Sequence, residues 1–527
     1  MGELRTRPVL AEDPITGNAI ARRHVTSPRG VRALVLGIAL PCLILLALAL
    51  PRPTLGAART WTGLGATNDW NEATNWSGSV VPGATDTAMF DGTSSKPVTI
   101  NVNVNVQGLT ITAAYGGTVT QAAGVTLTVG SAGYSQTGST FAGGTAAITV
   151  NGAFGLTGGS FASTSGTLTV TGGLTFTGGT FAHGGGTMAL TGGAATISTP
   201  GGIIFNALTI NTGSTKTLND TIAVAGTTTL TDGTLNGPGS LAARGDMSVA
   251  STFDGGTGTL RIDGSGAQTF SGTATTSSGS LPNVVIDKPA GTLTLAGTIR
   301  TARDWTYTAG SLDPATSTVV FAGTQSIGGT FALANVTFTG SGTKTLADTL
   351  TVSGTLALTD GPLNGGTLVA QGDLSHGPSS DSGTATVRIA GTGAQTFTGA
   401  ATPSAGSLPN VVIDKSAGTL TLAGTIRTAR DWTYAAGTID PATSLVVFAS
   451  TMSVNGAFAL ANVTFDGSGT KTVADTLTVA GTTTLTNGSL NGGTVAATGD
   501  IAQDSSFDGG TGTLRIEGSG DQTFSGT

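Results

Sequence analysis

The chain has 527 residues, too many for one ordinary hydrophobic core unless the architecture is extended. Glycine supplies 84 of them, charged residues only 10%, and the net charge is −7, with no basic stripe to neutralise phosphates; this argues against nucleic acid as a partner. The lone cysteine, Cys42, excludes internal disulfides and cysteine-based zinc sites. Glutamate occurs only at Glu3, Glu12, Glu72 and Glu517, so strong helix formers are scarce, while Thr, Val, Gly, Ser and Asn suit strands and turns.

Residues 33–50 read "ALVLGIALPCLILLALAL", preceded by Arg22, Arg23, Arg29 and Arg32 and followed by small residues at Gly56 and Ala58. A positive flank, an apolar run and a small-residue site predict an export signal over residues 1–58, cleaved after Ala58. An uncleaved anchor is the alternative, and the only membrane contact it would give is through this segment. Either way the remainder is expected outside the cytoplasm, secreted or at the cell surface.

Residues 59–104 hold three of the five tryptophans, Trp61, Trp70 and Trp76. Large aromatics at the start of a stacked fold commonly seal its first layer; stacking on sugar rings is the other role open to them.

From 105 to 204 the chain repeats every 20 residues. Phe141, Phe161 and Phe181 recur at that spacing, as do Ile148, Leu168 and Met188. Within each unit apolar and polar residues alternate, as in "GTLTVTG", which predicts strands. Recurrence in register places each side chain over its counterpart one coil earlier. The predicted fold is all-β: a parallel β-helix, or β-solenoid, expected to be right-handed, with coils of about 20 residues stacked ~4.8 Å apart.

Residues 205–527 carry a longer block repeat, with Trp305 returning at Trp432, Lys344 at Lys471, and Gln268 at Gln395 and Gln522. Each interval is 127 residues, room for about six coils. Segments 281–317 and 408–444 differ only at 289/416, 308/435, 311/438 and 312/439, the mark of block duplication. After "QTFSG" and "QTFTG" the first two blocks continue to "SLPNVVIDK", whereas the third stops at Thr527; a truncated C-terminus is expected.

The opening "TWTGLGATNDWNEATNWSGSVVPGATDTAMFDG", with coils such as "GTLTVTGGLTFTGGTF", resembles bacterial secreted or surface β-helix proteins. Those proteins carry autotransporter-associated strand repeats or filamentous-haemagglutinin-like repeats. The resemblance implies a stalk, adhesin or passenger domain and a polysaccharide or host cell-surface ligand as partner. It does not extend to a translocator barrel or a two-partner secretion domain.

Some β-helices are polysaccharide hydrolases that use clustered aspartates with a His and an Arg-x-Lys element. Here there is no Asp-Asp pair, and His183 and His376 fall in expected turns. No catalytic residue, metal site or cofactor is assigned, and the chain is expected not to be an enzyme, the rival being a carbohydrate-active or polysaccharide-binding β-helix. The "RGD" at 244–246 becomes Gln371-Gly-Asp373 and Thr498-Gly-Asp500 in later blocks, so the repeated element is Gly-Asp alone. "DGGTGT" at 254–259 lacks the aspartate of calcium-binding coils, and the Thr-x-Thr row that ice binding would need is incomplete. The one candidate site is "RTARDWTY", at 300–307 and 427–434. On a strand, Arg303, Trp305 and Tyr307 share a face, as do Arg430, Trp432 and Tyr434. Outward, each trio would be a carbohydrate-stacking platform; inward, the tryptophans would fill the coils.

Overall fold

The computed structural model describes residues 56–527. The apolar run 33–50, Cys42 and most of the expected export signal lie outside the described residues. Those flanking the expected cleavage point are built into the first coil: Ala57 N donates to Asp86 Oδ1 at 2.9 Å, and strand Ala58–Thr60 pairs with Thr87–Phe90.

Gly56–Thr527 forms one unit, 61% strand, winding through about 22 turns of a β-solenoid. All strand-to-strand ladders among the described residues are parallel, as a chain wound one way must make them; the single antiparallel contact is the isolated Trp61–Trp76 bridge. The 20-residue register is present as expected. Phe141 pairs with Phe161 and Phe161 with Phe181, while Ile148, Leu168 and Met188 align above one another. Alternation decides the faces: in Thr167–Val170, Leu168 and Val170 are buried and the two threonines are half-exposed. The core is thus a continuous apolar column of a kind that only neighbouring coils can close.

Sharp corners in these strands need left-handed backbone. Gly159 (φ +78°) and Gly179 (φ +75°) occupy the same corner in successive coils, and Ser139 (φ +58°) holds it one coil earlier. A Cβ on Gly159 would lie 2.3 Å from Ser139 O, so close stacking as well as dihedral angle demands glycine there.

At the N-terminal end, Trp61, Trp70 and Trp76 are all buried and converge on Phe90 at 5.6–6.2 Å between ring centroids. Trp61 Nε1 donates to Lys96 O and Trp76 Nε1 to Trp70 O. Glu72 braces the loop: the Thr67 hydroxyl and amide and the Ala66 amide hold its carboxyl down to about 2. The rings therefore pack over the first coil and leave no exposed aromatic face for sugar stacking.

At the other end, Ile516 and Phe524 are exposed, whereas their block counterparts Ile262, Ile389, Phe270 and Phe397 are buried beneath a further coil.

Candidate functional site

The repeated polar residues of the blocks are directed mainly at the backbone. Asp246, Asp373 and Asp500 each accept the amide of a residue one coil on, from Thr269, Thr396 and Thr523, at 2.8 Å. This is the role of the aspartate in the "RGD" triplet. Gln268 Nε2 donates to Ala243 O and Gly245 O, and Gln395 repeats the pattern with Ala370 and Gly372. The turn carbonyls of Gly245 and Gly372 thereby gain a donor, and the strand-end carbonyls of Ala243 and Ala370, which already accept from Asp263 N and Ala390 N, gain a second.

Lysine does the same from within the core. The sequence contains six lysines, and five of them, Lys216, Lys288, Lys344, Lys415 and Lys471, are at most 1% exposed. Lys288 Nζ donates to Gly264 O at 2.7 Å, Gly266 O at 2.9 Å and Gln268 Oε1; Lys415 makes the equivalent three bonds. Lys344 and Lys471 reach into turns at Gly340 and Gly467. Desolvation pushes all five ammonium groups below their ordinary value.

His376 departs from expectation. It lies in strand Leu374–Ser380, 2% exposed, and not in a turn. Its Nε2 faces the amide of Arg427, and burial pushes its pKa down to about 4. Val249 and Gln503 hold the corresponding position in the other blocks. His183 does sit beside a turn, where its Nδ1 accepts from Gly185 N.

Of the two orientations open to the Arg–Trp–Tyr trios, the tryptophans take the inward one, and no outward platform forms. Arg303 belongs to a turn, held by Thr301 Oγ1, which accepts from Arg303 N at 3.0 Å and donates to Arg303 O at 3.1 Å. Strand alternation therefore starts only at Trp305, and Arg303 faces solvent while Trp305 is fully buried. The indole packs edge-on against Phe321 at 6.0 Å. Trp432, against Phe448, and the exposed Arg430 repeat the arrangement. Tyr307 and Tyr434 share the inward face of the tryptophans and are half-buried, packed on Phe331 at 5.4 Å and Phe458 at 5.5 Å. Burial of the large apolar ring outweighs its use as a surface platform.

Beside these tyrosines lies a feature the sequence reading missed. Strand Trp305–Asp313 pairs along its length with the coil below, from Val284 to Thr294, but above it only Trp305 and Thr306 pair, with Ile327 and Gly328. Residues 307–313 have no strand above them among the described residues, and Phe331–Leu333 pairs only upward, with Leu350–Val352. Coil length explains the gap. Thr298 stacks under Thr318, 20 residues on, but Thr318 stacks under Asn335, only 17 on, so the chain lacks the length to trace the full perimeter. It crosses tightly at Gly329 (φ +92°), where a Cβ would meet Tyr307 O at 2.1 Å. The duplicate behaves alike: Leu445 stacks under Asn462, and Trp432–Asp440 pairs upward only at Trp432 and Thr433.

A third open edge precedes the blocks. Strand Leu174–Ala182 pairs downward with Phe154–Ala162 throughout, but upward only at Leu174 and Thr175. There the turn "TPGG" at 199–202, with Gly201 and Gly202 at positive φ, diverts the chain before Ile204–Phe205 resumes. Tyr307 Oη donates to Gly310 O at 2.5 Å and Tyr434 Oη to Gly437 O at 2.5 Å, so two of the edges carry a side-chain cap. The matching residue on the third is Phe176, which has no hydroxyl. A cavity of about 570 Å³ opens beside it, bounded by Leu156, Phe176, Phe181, His183, Ile203 and Ile204, by residues 177–180 and by the turn at 200–202.

Comparison with protein-family models, with curated proteins and with solved structures returns no match.

Proposed function

We propose that this chain is an exported, non-catalytic rod that acts as a structural and adhesive module in the extracellular space or at the bacterial surface. The observation that carries the reading is the parallel stack of about 22 turns, whose outer rows repeat with the blocks. At ~4.8 Å per turn the stack extends roughly 105 Å. Duplicated blocks add length without adding chemistry, which suits a spacer that displays surface away from its point of attachment. The apolar run 33–50 behind its arginines supports export. Support for a non-catalytic role comes from Asp246, Asp373 and Asp500, each spent on a backbone amide, from Asp287 and Asp414, each paired with an arginine, and from the buried lysines, spent on turn carbonyls. A polysaccharide or cell-surface ligand would have to be met by Thr, Ser and Asn rows, since the tryptophans are interior.

The test is to express the full chain in a bacterial host with an intact export system, and to probe whole cells with protease and antibody. Beads coated with the purified chain are then applied to polysaccharide-coated surfaces. Chain accessible from outside the cytoplasm and beads retained on polysaccharide are expected. A wholly cytoplasmic chain would refute the export reading, and beads that never adhere would refute the adhesive one.

A further inference from the structure

We propose that the open edge at residues 176–180 is a strand-addition site for one short, extended, uncharged peptide segment. This does not depend on whether the rod is exported. Residues 176–182 are already hydrogen-bonded to Phe154–Ala162 on one side, and among the described residues no strand covers the other. The uncovered side of a parallel ladder presents alternating N–H and C=O groups, and the ligand that satisfies such a row is another extended backbone. The five residues of edge at 176–180 extend roughly 17 Å at ~3.3 Å per residue.

The surroundings say which backbone. No Asp, Glu, Lys or Arg bounds the cavity, and Phe176, Phe181, Ile203 and Ile204 line it, so apolar and small side chains are favoured. Below it, Phe176 pairs with Leu156, Gly178 with Thr157 and Thr180 with Ser160, so one strand of the "LTFTGG" kind already rests on another. An incoming strand of that pattern would follow the same corner at Gly178 and Gly179. Phe205 already covers Phe181 edge-on at 5.6 Å, so the vacancy lies over 176–180 and the occupant ends before a second phenylalanine. On the two block edges one acceptor of the row is already taken: Tyr307 and Tyr434 donate to the carbonyls of Gly310 and Gly437, the counterparts of Gly179.

The probe is a fluorescein-labelled peptide, FTGGT, copying residues 176–180, titrated into the full chain by anisotropy with amide hydrogen exchange in parallel. Saturable binding is expected, with slowed exchange confined to 177–181. Phe176→Tyr, which supplies the missing hydroxyl cap, is expected to weaken binding about tenfold at unchanged melting temperature. Ile204→Glu, at a rim position 45% exposed, places a charge at the cavity mouth and is expected to weaken it likewise. Non-saturable binding, or binding indifferent to both variants, would overturn the proposal. So would an oligosaccharide that protects the same amides when the peptide does not, or protection that appears without peptide through self-association.

Discussion

The rings of Phe141 and Phe161 lie 4.8 Å apart and 8° from parallel, one coil spacing between their centroids. Phe181 continues the column at 5.9 Å and 7°. With a neighbour above and below, Phe161 is completely buried. Phe161→Ala is expected to cost about 3–5 kcal/mol, because the rings on either side are fixed by their own ladders and cannot collapse into the space. Denaturant unfolding with hydrogen exchange of residues 154–182 checks this. A loss below about 1 kcal/mol would mean that the column carries little of the stability.

His376 makes stability acid-sensitive. Its pKa is about 4 in the folded chain, held down by burial, and about 6.5 when unfolded. Between those values the unfolded chain binds the proton and the folded chain does not. The cost is therefore absent above pH ~6.5, grows as pH falls, and levels off below pH ~4 at about 3 kcal/mol. His376→Val installs the residue that Val249 supplies in the preceding block. The difference in unfolding free energy between variant and parent should widen from pH 7 to pH 4. Parallel pH profiles would show that His376 is not the titrating group.

The five core lysines should be chemically silent. An amine-reactive ester applied to the folded chain should leave Lys216, Lys288, Lys344, Lys415 and Lys471 unmodified, and label all five after denaturation, as read by peptide mass mapping. Lys288→Met should destabilise by about 1–3 kcal/mol: it relieves the desolvated charge but leaves the carbonyls of Gly264 and Gly266 without their donor. Rapid labelling of Lys288 or Lys415 in the native chain would contradict the burial of these groups.

All five tryptophans are at most 1% exposed. Native emission should accordingly resist quenching by iodide and become quenchable on unfolding. The Trp305→Ala, Trp432→Ala double variant should lose several kcal/mol of stability. A native population of readily quenched tryptophan, or a double variant with an unchanged melting temperature, would place these indoles outside the core.

How much of this could be read from the chain itself depended on which repeat carried it. Phe141, Phe161 and Phe181 announce both coil length and inward face, because identical spacing and period-two alternation have one structural solution. "RTARDWTY" leaves inward and outward orientations open, and alternation does not carry through Arg303, where Thr301 ends the strand and makes a turn; only from Trp305 onward does parity hold. The buried lysines ran against the usual solubility of that side chain, although the recurrence of Lys344 at Lys471 beside glycine-rich turns was a usable signal. The open edges were legible least. A coil shortened from 20 residues to 17 between Thr318 and Asn335 shows as a small change of spacing, and which strand loses its neighbour follows only from the pairing. The cap that Tyr307 places on Gly310 is likewise invisible until the corner between them is known.

A rod assembled from duplicated coils should shorten in proportion when a block is removed, and small-angle X-ray scattering on a chain lacking residues 281–407 measures this directly. The deletion joins the end of one block to the equivalent point of the next, so every coil keeps a matching neighbour. The expected result is a folded chain with an unchanged cross-section and a maximum dimension shorter by ~29 Å, six coils at ~4.8 Å. A chain that unfolds, or one whose length stays the same while its cross-section shrinks, would contradict the rod.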